Sequence, residues 1–170
     1  WYSSAIGIFP AFKLTDVKFS IEEANQYFRK SVVQRYRKAK RKPRIDDYRI
    51  VSDCLQKKNE LDTYISVGKA FESLGLIKSD LLITIGKKSG YRFIVIPVLV
   101  SDSTYSTTNG GDSTTHFVAR VKVILFDVEQ GRVVSSIISN HEVYKNLFHF
   151  DGSLLKAYRI ALEKAAKQLY

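Results

Sequence analysis

The sequence predicts an α/β (α+β) fold, with helices packed on a mixed sheet of about five strands. Residues 91–100 contain eight apolar residues out of ten, which indicates a central strand covered on both faces. Four other stretches repeat their apolar residues at helical spacing. The elements follow the order strand, helix, strand, two helices, three strands, helix. A mixed sheet with helices packed on it is the simplest arrangement of that order.

Size and composition predict one folded unit. The chain has 170 residues, of which 45% are hydrophobic and 26% charged, as is usual for a globular protein. We therefore expect residues 1–170 to form a single globular domain. No apolar run approaches the roughly 20 residues that a membrane-spanning helix needs.

The first half of the chain begins with a short apolar strand at residues 5–9. Ser20 then opens a helix, because Glu23 follows at the spacing of a capping box. Apolar residues at helical spacing extend this helix to about Lys40. A second strand is predicted at residues 48–51.

Two helices precede the central strand. The first covers residues 61–74 and ends at Gly75. The second begins with Ser79 as its N-cap, and Gly86 and Gly90 permit the backbone to leave it.

The central strand is followed by a polar stretch, residues 101–116, which we interpret as a polar hairpin loop. Its tip carries a strong turn signal, formed by Asn109, Gly110, Gly111 and Asp112. Pro97, just before this stretch, lacks an N–H and predicts a bulge or a partly unpaired segment.

The sequence of the last third of the chain predicts a hairpin and a helix. Residues 117–127 and 133–143 are apolar runs separated by a short turn that ends at Gly131. Ser153 then caps a C-terminal helix with one apolar face and one basic face.

The sequence offers little catalytic chemistry. His116, His141 and His149 are far apart, and Cys54 is the only cysteine, so we expect neither a metal site nor a cofactor. Asp46 and Asp47 are adjacent, but carboxylates before a regular element more often cap or turn than catalyse. We therefore expect a protein that is not an enzyme.

Positive charge is concentrated in one segment. Residues 29–49 hold ten basic and two acidic residues, a net charge of +8 out of +10 for the whole chain. The cations of this run that we predict as an interaction surface are Arg35, Arg37, Lys38, Lys40, Arg41, Lys42 and Arg44. One interpretation is a solvated helix end, where cations complement the helix dipole. The other is a contact site for nucleic acid, anionic lipid or another polyanion.

Three segments together resemble a known family. They are residues 71–77 (FESLGLI), 85–97 (IGKKSGYRFIVIP) and 125–134 (LFDVEQGRVV). The pattern is similar to the periplasmic domain of curli-secretion-channel and penicillin-binding-protein-activator lipoproteins. Related folds occur in the flagellar T-ring protein and in the N-terminal domain of the Tol translocation protein.

The resemblance implies a non-enzymatic domain of the bacterial cell envelope that acts through protein–protein contacts. It implies a periplasmic location, with anchoring to the outer membrane by a lipid, and a cytoplasmic location is the alternative. Channel-forming members insert apolar membrane hairpins into this domain, whereas residues 101–116 are nearly all polar. We therefore expect no pore from this stretch. The predicted contact surfaces are the basic run and the turn formed by Asn109, Gly110, Gly111 and Asp112.

The alternative function is a polyanion- or nucleic-acid-binding module that uses the basic run at residues 35–44. Because the chain begins at Trp1 and contains no methionine, we also expect a signal or anchor segment before it.

Overall fold

A computed structural model describes residues 5–14, 16–36, 44–146 and 152–169, with residues 34–36 described by their backbone alone. In chain order the elements are β1 (Ile6–Ile8), β2 (Phe12–Lys13), α1 (Ile21–Tyr36), β3 (Ile45–Asp46), α2 (Tyr48–Lys57), α3 (Leu61–Leu74), α4 (Ser79–Ser89), β4 (Phe93–Asn109), β5 (Asp112–Asp127), β6 (Arg132–Lys145) and α5 (Leu154–Gln168). The predicted α/β class is confirmed, and the described sheet has six strands rather than about five.

The sheet is mixed, and β4 lies at its centre. The strand order is β3-β1-β4-β5-β6, and β2 makes a second short pairing with β4. β1 runs parallel to both β3 and β4, while β5 is antiparallel to β4 and to β6. Helix α1 connects the parallel strands β1 and β3, so it returns antiparallel to them.

Two apolar cores lie on opposite faces of this sheet. One is formed with α1 and α5, and the side chains of β4 that reach it include Phe93, Val95 and Leu99. The other is formed with α2, α3 and α4, and it receives Ile94 and Ile96 from the same strand. The predicted cover on both faces of the central strand is therefore confirmed.

Pro97 lies where the neighbouring edge of β4 is interrupted. β1 pairs with β4 as far as Val95, and β2 resumes the pairing at Val98. The ladder with β5 shifts register between Leu99 and Ser101. The irregularity predicted from Pro97 is thus present, with the shift of register a few residues beyond the proline.

The strand predicted at residues 48–51 is wrong, because these residues begin helix α2. Asp47 is the N-cap, and its carboxylate accepts hydrogen bonds from the N–H groups of Arg49 and Ile50. Tyr48, Val51 and Leu55 are buried at helical spacing. Residues 48–51 taken alone favoured a strand. The spacing of Tyr48, Val51 and Leu55, three and four residues apart, is that of a helix.

The ends of α4 also differ from the prediction. Lys78 occupies the N-cap position without a side-chain cap, and Ser79 is the first helical residue. The helix ends at Gly90, whose φ of 77° allows the backbone to leave it. Gly86 instead lies inside the helix, where an added Cβ would stand 2.3 Å from Cγ2 of Val128. Close packing, not helix termination, therefore explains this glycine.

Residues 101–116 are not a loop, since all of them except the two turn glycines belong to β4 or β5. The two strands pair continuously from Ser101 to Asn109 on one side and from Asp112 to Arg120 on the other. Backbone pairing with a neighbouring strand does not require apolar side chains, so the polar composition was misleading. The turn itself is where it was predicted, between Asn109 and Asp112.

Several other predicted boundaries are confirmed. The Ser20 hydroxyl accepts a hydrogen bond from the N–H of Glu23 before α1 begins. α3 ends at Gly75, which adopts a left-handed conformation, and the Ser153 hydroxyl caps α5. The predicted C-terminal hairpin is present as β5 and β6.

Candidate interaction surfaces

Most of the basic run lies outside the described side chains. Of its predicted contact residues, Arg35 belongs to α1 with its backbone alone described, and Arg44 is described in full. The others lie outside the described residues, namely Arg37, Lys38, Lys40, Arg41 and Lys42.

Two arginines of the basic segment 29–49 are paired with adjacent aspartates. Arg29 of α1 contacts the carboxylate of Asp47 at 2.5 Å, and Arg44 contacts that of Asp46 at 2.7 Å. Asp46 is 7% exposed and also accepts a hydrogen bond from the Tyr91 hydroxyl at 3.0 Å. Burial and this contact with a carboxylate raise the pKa of Tyr91, so the phenol stays a donor. Asp47 thus has the capping role that the sequence predicted, since it is the N-cap of α2, whereas Asp46 lies in β3 and joins Arg44 to Tyr91.

A second polar contact joins α1 to α2. The Tyr48 hydroxyl donates to Glu22 at 2.7 Å and accepts from Arg49 at 3.1 Å. The hydrogen bond from Tyr48 lowers the pKa of Glu22, which favours the charged carboxylate. Together with the Arg29–Asp47 pair, this contact orients the helix from which the basic run continues.

The second predicted surface lies at the end of a protruding hairpin. We call residues 103–118 the arm: the last part of β4, the turn, and the first part of β5. Every residue from 103 to 113 is exposed. Gly110 and Gly111 have φ values of 58° and 90°, as the favoured two-residue hairpin turn requires. Asn109 and Asp112 face each other across this turn.

A polar network on one face of the arm joins three strands. Nδ1 of His116 lies 2.6 Å from Oε1 of Glu142 on β6, and the Tyr105 hydroxyl donates to the same oxygen at 3.0 Å. Nε2 of His116 lies 3.0 Å from the Thr107 hydroxyl. A neutral histidine with its proton on Nδ1 satisfies both contacts. The rings of Tyr105 and His116 stack with centroids 4.6 Å apart.

The charge of Glu142 is central to this network. Hydrogen bonds from His116 and then from Tyr105 lower the pKa of the Glu142 carboxyl. The hydrogen bond that the Tyr105 phenol donates to Glu142 raises the pKa of Tyr105. We call this network the clamp: it joins β4, β5 and β6, since each strand supplies at least one of its members.

The structure places Arg44, the one residue of the basic run that is described in full, and the turn of the arm at opposite ends of the sheet. Arg44 precedes β3, whose first residue is level with Ile6 and Phe93 at the beginning of β4. Asn109 ends the same strand, which is 17 residues long. At about 3.3 Å per residue, the two ends lie roughly 50 Å apart. One compact partner therefore does not contact both Arg44 and the turn.

One groove opens between β2 and α3, with a volume of about 280 Å³. Its walls include Phe12, Tyr64 and Ile65, and its charged lining residues are Lys13, Lys69 and Glu72. Phe12 packs flat on Tyr64, with the ring centroids 4.8 Å apart. The groove is thus mainly apolar, with the charges at its rim.

Within the described parts of the chain, no group of three potential metal ligands comes together. None of the helices described is long and apolar enough to cross a membrane.

The sequence interpretation missed the clamp residues Tyr105, Thr107 and Glu142, and it did not indicate that the predicted strand β6 is an edge of the sheet. One signal for the arm was present: Thr107, Thr108, Thr114 and Thr115 are β-branched residues flanking a glycine turn. Glu142 carries no comparable signal, because its partners are 26 and 37 positions away in the chain.

No family model matches this sequence. No curated protein matches it either.

Solved structures do share its fold. Lipoprotein GNA1162 from Neisseria meningitidis aligns with a TM-score of 0.52 at 12% identity, over 90% of each chain. PelC from Paraburkholderia phytofirmans, solved as a dodecamer, aligns with a TM-score of 0.51 at 11% identity, over 97% of this chain and 87% of that one. Hypothetical protein CT253 from Chlamydia trachomatis aligns with a TM-score of 0.50 at 12% identity, over 98% and 93%.

These likenesses extend over nearly the whole chain and are likenesses of fold. The resemblance to envelope lipoprotein domains that the sequence motifs indicated is therefore confirmed at the level of the fold.

Proposed function

We propose that this chain is a non-enzymatic domain of the bacterial cell envelope that acts through protein–protein contacts, with the arm as its principal contact surface. The observation that carries the proposal is the arm itself. Its residues 103–113 are all exposed, although the backbone is fully paired as a hairpin. The fold shared with a neisserial lipoprotein supports the envelope location, and we place the domain in the periplasm, anchored by a lipid.

The physical basis of the proposal is the marginal stability of the tip. β6 accompanies the arm only as far as Thr115, which pairs with Lys145. Beyond that point the described part of the chain supplies only the two strands β4 and β5, and an isolated two-stranded hairpin is marginally stable in water. A partner that covers the tip adds contacts there without requiring the domain to refold.

The experiment uses a photo-crosslinking amino acid at Thr108 in cells that express the full gene. We expect a discrete adduct in the envelope fraction, and none when the same amino acid replaces Arg159 on the exposed face of α5. An exclusively cytosolic product would contradict the envelope location. Equal labelling from the two positions would contradict the role of the arm.

The charge distribution supports a second candidate, a polyanion-binding role for the basic run. Both acidic residues of the segment 29–49 are already paired, Asp46 with Arg44 and Asp47 with Arg29. The six cations between positions 35 and 42 therefore have no acidic neighbour in this part of the sequence. Such a cluster attracts phosphate-rich surfaces over a distance set by the ionic strength.

The second candidate predicts binding that weakens steeply with salt. Six phosphate contacts on duplex DNA correspond to a slope of about −5 in a plot of log affinity against log salt concentration. We expect glutamine at Lys38, Lys40, Arg41 and Lys42 to flatten this slope. The matched control removes four exposed lysines elsewhere: Lys57, Lys58, Lys69 and Lys78. A slope that responds equally to both variants would contradict a specific role for the run.

A further inference from the structure

The groove between β2 and α3 lies at an edge of the sheet, between the two helix layers. β2 forms its inner side and pairs with β4 alone among the strands described. α3 belongs to the layer on one face of the sheet, whereas Ile21, which also lines the groove, belongs to α1 on the other face. The groove therefore occupies the position that a further strand beside β2 would take.

The backbone of β2 directs hydrogen-bonding groups into this position. The N–H of Leu14 donates to the carbonyl of Leu99, so the N–H groups of Leu14 and, two residues earlier, Phe12 point toward β4. Because this direction alternates along a strand, the N–H and C=O of Lys13 point away from β4. Lys13 also lines the groove. An extended peptide in the groove therefore meets a donor and an acceptor of the β2 backbone.

The groove is apolar at one end and charged at the other. Its α3 lining falls on one helical face, formed by Leu61, Tyr64, Ile65, Gly68, Lys69 and Glu72. The Tyr64 hydroxyl donates to the carbonyl of Pro10, whereas Gly68 packs against the ring of Phe12. α3 and β2 thus run in the same direction along the groove. The charged residues of α3 therefore lie level with the C-terminal end of β2.

Positive charge prevails at this end of the groove. Lys13 and Lys69 both line it, and neither forms an ion pair within the described parts of the chain. Glu72 is the one acidic residue among the lining residues, so the two lysines outnumber it. At the other end of the groove, the exposed Asp62 follows Leu61. A negatively charged end group is therefore favoured beside the lysines and disfavoured beside Asp62.

We propose that this groove binds the C-terminal tail of a partner protein, with apolar side chains along α3 and the terminal carboxylate between Lys13 and Lys69. The tail runs parallel to β2 and pairs with its backbone. From Leu61 to Lys69 the helix rises about 12 Å, which is the length of roughly three to four residues of an extended chain. Strand addition at a sheet edge and capture of a C-terminal carboxylate are both known modes of peptide recognition. The site lies outside the arm and is a second contact surface.

A peptide pool tests the chemistry of the occupant. Hexapeptides randomised at their last three positions are incubated with the purified chain, once with free C-terminal carboxylates and once amidated. Bound peptides are identified by mass spectrometry. We expect peptides with apolar final residues from the free-acid pool, recovered at least about tenfold above the amidated pool. Equal recovery from the two pools, or none from either, overturns the proposal. Dodecanoate that binds where no peptide does overturns it as well, and identifies an acyl carboxylate as the occupant.

Two exposed isoleucines provide a matched pair of variants that locates the site. Ile65 on α3 lines the groove and is 44% exposed, whereas Ile50 on α2 lies outside it and is 50% exposed. We expect Ile65→Trp to fill the groove and abolish binding of a recovered peptide, and Ile50→Trp to leave its affinity unchanged. Both variants should keep the unfolding midpoint of the wild type, because exposed substitutions have small effects on stability. Wild-type affinity in a folded Ile65→Trp overturns the proposal.

The position of the carboxylate is tested with lysine variants. We expect Lys13→Gln combined with Lys69→Gln to weaken binding of the free-acid peptide about tenfold and to leave the weak binding of its amide unchanged. The matched control is Lys57→Gln combined with Lys78→Gln, two exposed lysines elsewhere, which should preserve the affinity. Equal losses from the two double variants would show a general effect of charge and overturn the assigned position.

Discussion

β4 has two halves that share one backbone ladder and have opposite environments. From Phe93 to Leu99 the side chains are buried on both faces of the sheet, and six of them belong to the two apolar cores. From Ser103 to Asn109 every side chain is exposed. Both halves nevertheless pair with β5, with one shift of register between them.

The comparison separates what forms a strand from what stabilises a fold. The exposed half is a strand because the buried half holds β5 beside it and a favoured turn closes the hairpin. Its side chains then contribute little to the free energy of unfolding, since exposed substitutions usually change it by less than about 0.5 kcal/mol. The arm is therefore the part of the sheet whose sequence is least constrained by folding.

The largest expected effect is a substitution in the buried half. Ile96 is fully buried, so Ile96→Ala removes apolar contacts and leaves a cavity. We expect a loss of about 2–5 kcal/mol in the free energy of unfolding, measured by denaturant titration. Thr108→Ala in the exposed half of the same strand is the control, and we expect a change below about 0.5 kcal/mol. Similar losses from both variants would contradict the contrast.

A substitution at the core glycine Gly86 comes next in size. Alanine normally favours a helix over glycine, but here the added Cβ would stand 2.3 Å from Cγ2 of Val128. We expect Gly86→Ala to destabilise the protein by about 1–3 kcal/mol. Adding Val128→Ala should make that penalty smaller, which a double-mutant cycle on denaturant midpoints measures. Additive effects of the two substitutions would show that the overlap is not the cause.

A glycine of the arm should have a smaller, local effect. Gly110 has a φ of 58° and no atom within 4 Å of an added Cβ, so strain there comes from the backbone alone. We expect Gly110→Ala to cost about 1 kcal/mol. This cost should appear as faster hydrogen exchange of arm amides, with the global unfolding midpoint nearly unchanged. A large fall in that midpoint would mean that the arm is coupled to the core.

The smallest expected effect is a dependence of the arm on pH. The pKa of Glu142 is lowered in the folded state, mainly by the hydrogen bond from His116. Its contribution is therefore complete above the unfolded value of about 4.3, and it is lost as the pH falls through the lower folded value. We expect faster exchange of arm amides below about pH 4, and no such step in Glu142→Gln. An identical step in that variant would assign the effect to another group.

Much of the fold was accessible from the sequence where the signal is local. The buried half of β4, the cap at Ser153 and the turn at Gly110 and Gly111 each depend on residues close together in the chain. Helix α2 was missed because its first four residues also suit a strand, and only Leu55 one turn further on resolves the ambiguity. Gly86 was assigned to a helix end because its partner, Val128, is distant in the sequence.

The candidate surfaces also divide into those that the sequence indicates locally and those that depend on contacts between distant residues. The basic run is a property of composition. As contact surfaces, both this run and the turn at the tip of the arm stay predictions. The clamp of Tyr105, His116 and Glu142 joins three strands, so no window of the sequence contains it. The open edge of β6 likewise depends on which strand ends the sheet.

By itself, the sequence determined the α/β class, the central strand, and the concentration of positive charge between positions 29 and 49. Burial patterns, caps and charge depend on residues close together in the chain, so the sequence indicates them without knowledge of the tertiary structure. Only the tertiary structure decided that residues 101–116 belong to paired strands, that Arg44 and the turn lie at opposite ends of β4, and that β6 is an edge of the described sheet. The first depends on backbone hydrogen bonds, which polar side chains do not indicate. The other two depend on backbone pairing between segments that are distant in the sequence.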